Sequence, residues 1–248
     1  MGLLGNKSTT LIPESQRQEY WDECRDYIEK YALWKMGEWP WSLPIPAKNN
    51  PHEYYTWQFY CSKVTMNYDI NHKLSVLALD ALLPVWKKKK FQLAGLETDG
   101  VPLVTGMLYT AQAFDVYNGL TGFRVRKEYK EYGLKNLIEG RVVSRRPALM
   151  VDDLVSSKET AYVAWDRMKN KEKMKVSNHM FALINKLLKS EADGTDKPKN
   201  AITGAPLLDD SIAYNVKAVC LYHLDDFSVG KERKDLEQFV STNINSIS

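Results

Sequence analysis

One stretch restricts the fold more than any other. Residues 147–160 read Pro-Ala-Leu-Met-Val-Asp-Asp-Leu-Val-Ser-Ser-Lys-Glu-Thr. The segment begins as a short uninterrupted apolar run, the pattern of a strand buried on both faces of a parallel sheet. It ends in two adjacent carboxylates, Asp152 and Asp153, followed by a hydroxyl-rich turn (Ser156, Ser157, Thr160) and a helical pattern. Ligands of open α/β sheets bind beyond the carboxyl ends of the strands, which makes this edge a candidate ligand site. Taken alone, the simpler reading is a strand end and a helix N-cap at Ser157.

The flanking pattern fits a sheet of that kind. From residue 74 onward the spacing predicts a helix (74–86), a strand (91–96), a helix to about Val116 and a strand (121–126). A polar loop follows over Lys127–Gly140, then the strand at 147–155 and a helix from Thr160 to about Asn170. Met180, Phe181, Ile184, Leu187 and Leu188 have helical spacing and predict a helix over 177–189; a strand (216–223) and a helix near 231–240 close the chain. This alternation predicts an α/β fold, a mainly parallel sheet flanked by helices.

Upstream, Pro13-Glu14 opens a predicted helix to about Met36, with Tyr20, Trp21, Cys24, Tyr27, Ile28 and Tyr31 on one face. Trp39–Pro46 is broken by three prolines, and the aromatic residues at 54–60 predict a strand over 52–66. Residues 1–47 are therefore expected to form an N-terminal extension, a hood or a dimer contact. Residues 48–248 are expected to form the main domain, with an insertion near 171–212 whose Gly/Pro/Asp/Lys-rich part spans 190–206.

Several function classes are disfavoured. A net charge of +3 is too small to argue for nucleic acid or a membrane surface. The run Lys87–Lys90 reads as a solvated helix end. No apolar run reaches ~18 residues, and the N-terminus lacks a signal-peptide core. Three widely spaced cysteines (Cys24, Cys61, Cys220) fit free thiols in a reducing compartment, so a cytoplasmic protein is expected. The four histidines show no metal-ligand spacing.

Three segments together resemble the phosphoribosyltransferase family, in particular its orotate branch. Gly95–Leu103 resembles that branch's strand–turn–helix. Arg126-Lys127-Glu128-Tyr129-Lys130-Glu131-Tyr132-Gly133, continuing to Gly140, resembles its flexible catalytic loop. Val151–Thr160 resembles the motif for 5-phosphoribosyl 1-pyrophosphate (PRPP). The resemblance implies transfer of ribose 5-phosphate from PRPP to a ring nitrogen of a base, with Mg²⁺ and release of pyrophosphate. Lys130 matches the catalytic lysine, and Asp152 and Asp153 match the acids that hold the ribose hydroxyls. Arg126, Lys127, Ser156, Ser157, Lys158 and Thr160 match the groups around the donor's phosphates. Lys48, Tyr54 and Tyr55 loosely match the base site. A homodimer is implied, with loop 127–140 crossing into the partner's site.

The chain departs from the pattern at four places: Asp99 in the pyrophosphate-facing turn, Lys158-Glu159 where glycines are usual, Tyr132 where histidine is common, and Asp226 in place of an arginine that grips the orotate carboxylate. Three of these changes bring an acid towards an anion. They support an alternative: a protein that kept the fold and binds PRPP or a nucleotide in a regulatory role without turnover. A base without a carboxylate is a third possibility.

Overall fold

The computed structural model describes residues 10–38, 45–47, 50–86, 90–128, 136–156, 158–189 and 216–233. Its first elements are α1 (Glu14–Tyr31), β1 (Leu33–Lys35), β2 (Ile45–Ala47), β3 (Asn50–Tyr55), β4 (Trp57–Phe59), α2 (Ser62–Thr65) and α3 (Tyr68–Trp86). Then follow β5 (Gln92–Leu96), α4 (Gly100–Ala113), β6 (Gly122–Val125), β7 (Ile138–Gly140), β8 (Ala148–Val155), α5 (Glu159–Asp166), β9 (Val176–Asn185) and β10 (Lys217–His223). A π-helical turn, Arg167–Lys171, extends α5.

Six strands form the main sheet in the order β10-β9-β8-β5-β6-β7. All neighbours are parallel except β7, which runs antiparallel to β6 at the edge. Both faces are covered. Leu93, Leu149, Val151, Phe181 and Leu183 pack with residues of α1, α3 and α4. Ala94, Leu96, Met150, Met180 and Ala182 pack on the opposite side with Ala161 and Ala164 of α5. The expected α/β class is thus the observed one.

Residues 177–189 do not form the expected helix. They are β9 and its exit, pairing with β8 and β10. The cause lies in the burial: Met180 to Leu188 are buried without interruption. A strand covered on both faces loses its period-two alternation, and a short apolar run is then compatible with either period. The expected insertion near 171–212 is corrected accordingly, since 176–185 are part of the sheet; residues 190–215 lie outside the described set.

The N-terminal segment also differs from expectation. The first helix ends at Tyr31, and β1 pairs antiparallel with β4. The aromatic stretch 52–66 splits into β3, β4 and α2 rather than one strand. The α1 stripe is covered in large part by its own chain: Cys24 and Ile28 are fully buried, while Tyr31 at its end stays exposed. Trp21 Nε1 donates to the Leu221 carbonyl at 3.3 Å, and the Tyr222 hydroxyl donates to the Trp21 carbonyl at 2.9 Å. Arg17 and the backbone N–H of Leu11 both reach Asp80, a carboxylate buried on α3. Among the described residues, no helix is long and apolar enough to cross a membrane.

Candidate active site at the carboxyl ends of the strands

Because β5, β6, β8 and β9 are parallel, their carboxyl ends open on one edge. A cleft of about 580 Å³ lies there, lined from β5 and its turn (Leu96–Asp99), from the end of β6 (Val125–Glu128), from β8 (Asp152–Leu154) and from α5 and its extension (Thr160, Val163, Ala164, Arg167). Gln58 of β4 completes the lining.

Gly100 sets how closely the β5 turn approaches the acids. A Cβ at this position would lie 2.3 Å from the Val151 carbonyl oxygen and 3.3 Å from the Asp152 Cα. Glycine therefore lets α4 start against β8 one residue before the acid pair. Asp99, the residue before it, faces Asp153 closely enough to raise its pKa.

The acid pair is held in a demanding environment. Asp153 is only 9% exposed, and its backbone N–H donates to an Asp152 carboxylate oxygen at 3.1 Å. Burial, then the neighbouring Asp153, pushes Asp152 well above the usual carboxylate range; burial, then Asp99, raises Asp153. The buried Cys61 thiol is pushed up by burial and by Asp153, to which it is hydrogen-bonded. Lys186, at the exit of β9, is 8% exposed, and burial lowers its pKa to about 8 against the opposing pull of Asp153. Its ammonium lies 5.4 Å from the centre of the Trp57 ring, within cation–π range.

The cationic wall is already engaged. Arg126 lies 3.8 Å from Glu97 and 3.6 Å from Glu139. The Lys127 backbone N–H donates to the second Glu97 oxygen at 3.2 Å. The Arg167 guanidinium donates to the Lys127 carbonyl, and Arg124 pairs with Glu139.

At the turn between β8 and α5, Lys158 has φ 59° and ψ 5°, the left-handed conformation. That is the backbone geometry a glycine adopts without strain. Here a lysine occupies that conformation.

No protein-family model matches the chain. Over 115 residues it is 29% identical to the orotate phosphoribosyltransferases of two Enterococcus faecalis strains, OG1RF and V583, covering 44% of this chain and 51% of theirs. The chain thus spans about half the length of the curated relatives it matches. Its structure superposes on a phosphoribosyltransferase from Corynebacterium diphtheriae with a TM-score of 0.56 and 17% identity, covering 86% of this chain and 99% of that one. Orotate phosphoribosyltransferase of Mycobacterium tuberculosis in complex with PRPP gives a TM-score of 0.52 and 15% identity, with 88% and 94% covered. The chain has the type I phosphoribosyltransferase fold.

Within that fold, Asp152, Asp153, Arg126, Lys127 and Thr160 line one cleft. Asp99 lines it too. Lys48, Lys130 and Ser157, and Tyr132 with them, lie outside the described residues. Tyr54 and Tyr55 are on β3, in register with Pro46 and Ile45 of β2. Ser156 follows β8 directly.

Asp226 is absent from the lining of this cleft. Its carboxylate accepts from the His223 backbone N–H at 2.7 Å and caps a 3-10 turn, Leu224–Asp226. Sequence reasoning missed Gln58, Glu97, Arg167 and Lys186. Glu97 lay inside a recognised motif and could have been found by asking what its charge does. Lys186 was hidden because β9 was read as a helix.

Proposed function

We propose that this cleft binds PRPP and transfers its ribose 5-phosphate to a ring nitrogen of a base, releasing pyrophosphate. The observation that carries this reading is the meeting of Asp152-Asp153 with Arg126 and Lys127 across one cleft of about 580 Å³. In the reaction, the bond from the anomeric carbon to the pyrophosphate oxygen breaks, and a bond to the base nitrogen forms. The electron pair leaves with pyrophosphate, and the base releases its proton to solvent. Carboxylates suit the ribose hydroxyls, which they bind as acceptors. They also place negative charge beside a ring carbon that becomes positive in the transition state. Cations opposite them stabilise the leaving anion. The N-terminus of α5 directs backbone N–H groups towards the expected 5′-phosphate.

Among the described residues, no group of three or more His, Cys, Asp or Glu side chains is arranged to hold a metal. The Mg²⁺ expected here would arrive on the donor, coordinated largely by phosphate oxygens and water, and would neutralise pyrophosphate charge. A homodimer, with loop 127–140 reaching the partner's cleft, and a cytoplasmic location belong to the same reading. The base is a nitrogenous ring, orotate or another.

A second reading, a binding or regulatory module without turnover, is favoured by one specific contact: Glu97 occupies Arg126 and the Lys127 N–H. Pyrophosphate release from PRPP with Mg²⁺, measured across a panel of bases, separates the two. Release with at least one base supports the enzyme. Donor binding with no release for any base supports the module. Neither binding nor release rules out both.

A further inference from the structure

We propose that Glu97 is a built-in competitor for the pyrophosphate position of this cleft, and that Arg167 is a further cation of the same position. The proposal rests on the donor-binding reading above. Both oxygens of the Glu97 carboxylate are committed to the corner Arg126-Lys127: one faces the Arg126 guanidinium at 3.8 Å, and the other accepts the Lys127 N–H at 3.2 Å. A guanidinium beside a free backbone N–H is a receptor for an oxyanion. A carboxylate bound across both imitates one edge of a phosphate group.

Three further observations point the same way. The Arg126 and Glu97 side chains are 24% and 21% exposed, so the pair is partly desolvated yet open to the cleft. The Arg126 Nε is buried and has no hydrogen-bond partner among the described residues. A donor left over in this way is what an incoming anion with more acceptor oxygens could satisfy. Arg167, one turn beyond Ala164 on the cleft wall, donates to the Lys127 carbonyl. The corner is thereby gripped from both sides, with Glu97 on its N–H and Arg167 on its C=O. When pyrophosphate displaces Glu97, Arg167 stays beside it as an additional positive charge. Its role is to position the Lys127 backbone and to raise the local potential.

The test is calorimetric titration of Mg²⁺-pyrophosphate into the full chain and into Glu97→Gln, Arg167→Met and Arg167→Lys, each first checked by thermal melting. Glutamine keeps the shape of Glu97 and removes its charge, so E97Q is expected to bind pyrophosphate about 5-fold tighter than wild type, the scale of one lost ion-pair competitor. R167M is expected to bind several-fold more weakly, with partial recovery in R167K. Equal or weaker affinity in E97Q overturns the competitor while leaving the donor-binding reading intact. Unchanged affinity in R167M overturns its part. If neither wild type nor E97Q binds pyrophosphate at millimolar concentration, the donor-binding reading falls, and the competitor with it.

Discussion

Gly100→Ala places a single methyl group between α4 and β8. In an ordinary helical position, replacing glycine by alanine stabilises by about 1 kcal/mol. Here the added Cβ would sit 2.3 Å from the Val151 carbonyl oxygen, and even a 3.0 Å separation requires a relative shift of roughly 0.7 Å. The helix start cannot accept it in place. Over-packing of this kind costs about 1–3 kcal/mol, more than the gain in helix propensity. The expected net loss is up to ~2 kcal/mol, seen as a drop in melting temperature of up to about 8 °C for a chain of this size. The functional effect should be larger than the stability effect. The displaced segment carries Asp99 and the Glu97 turn past Asp152 and Asp153, and a misplacement near 1 Å can cost about 10²-fold in turnover. Urea denaturation, with donor titration and pyrophosphate release measured on the folded variant, reads both. A G100A protein as stable as wild type, with unchanged donor affinity, would refute the close approach of α4 to the acid pair.

Lys158→Gly relieves a left-handed lysine, a conformation costing ~1–2 kcal/mol, against ~0.4–1 kcal/mol of extra chain entropy in the unfolded state. A net gain of about 0.5 kcal/mol in denaturation is expected, and the double change with Glu159→Gly should tighten binding of a 5′-phosphate ligand by isothermal titration. Asp152→Asn should stabilise the fold at neutral pH. The folded-state pKa of Asp152 lies above its unfolded value, so the wild type loses stability as pH rises from the ordinary carboxylate range through the raised value. The advantage of D152N, on the order of 1 kcal/mol at pH 7.5, should therefore shrink towards zero near pH 4, as melting curves across pH will read. Lys130→Ala should lower turnover far more than donor affinity, and equal losses in the two would argue against a transition-state role.

How much of this was legible in the sequence depends on where burial is one-sided and where it is not. The β8 acid pair was legible because two carboxylates interrupt an apolar run. Arg126-Lys127 was legible only through the resemblance of 126–140 to a catalytic loop, since its residues alone read as a solvated mixed-charge segment. β9 was not, because strand residues covered by both layers carry no alternation, and Met180, Phe181 and Ile184 happen to fall at helical spacing. That one misassignment had two consequences. It turned part of the sheet into an insertion, and it concealed Lys186. The fate of α1 was half legible: its apolar stripe was evident, but only the tertiary contacts of Trp21, Asp80 and Tyr222 show that the stripe is covered in large part within the chain. The contact of Glu97 with Arg126 could not be read at all, since the two residues meet only through the pairing of β5 with β6.

The most direct measurement is isothermal titration of Mg²⁺-PRPP into the wild-type chain and into the Asp152→Asn/Asp153→Asn double variant. Saturable binding to one site per chain by wild type is expected, weakened at least about 10-fold in the variant, a difference of roughly 1.4 kcal/mol. Absence of binding by wild type, or equal affinity in the folded double variant, would contradict the assignment of this strand-end cleft as the donor site.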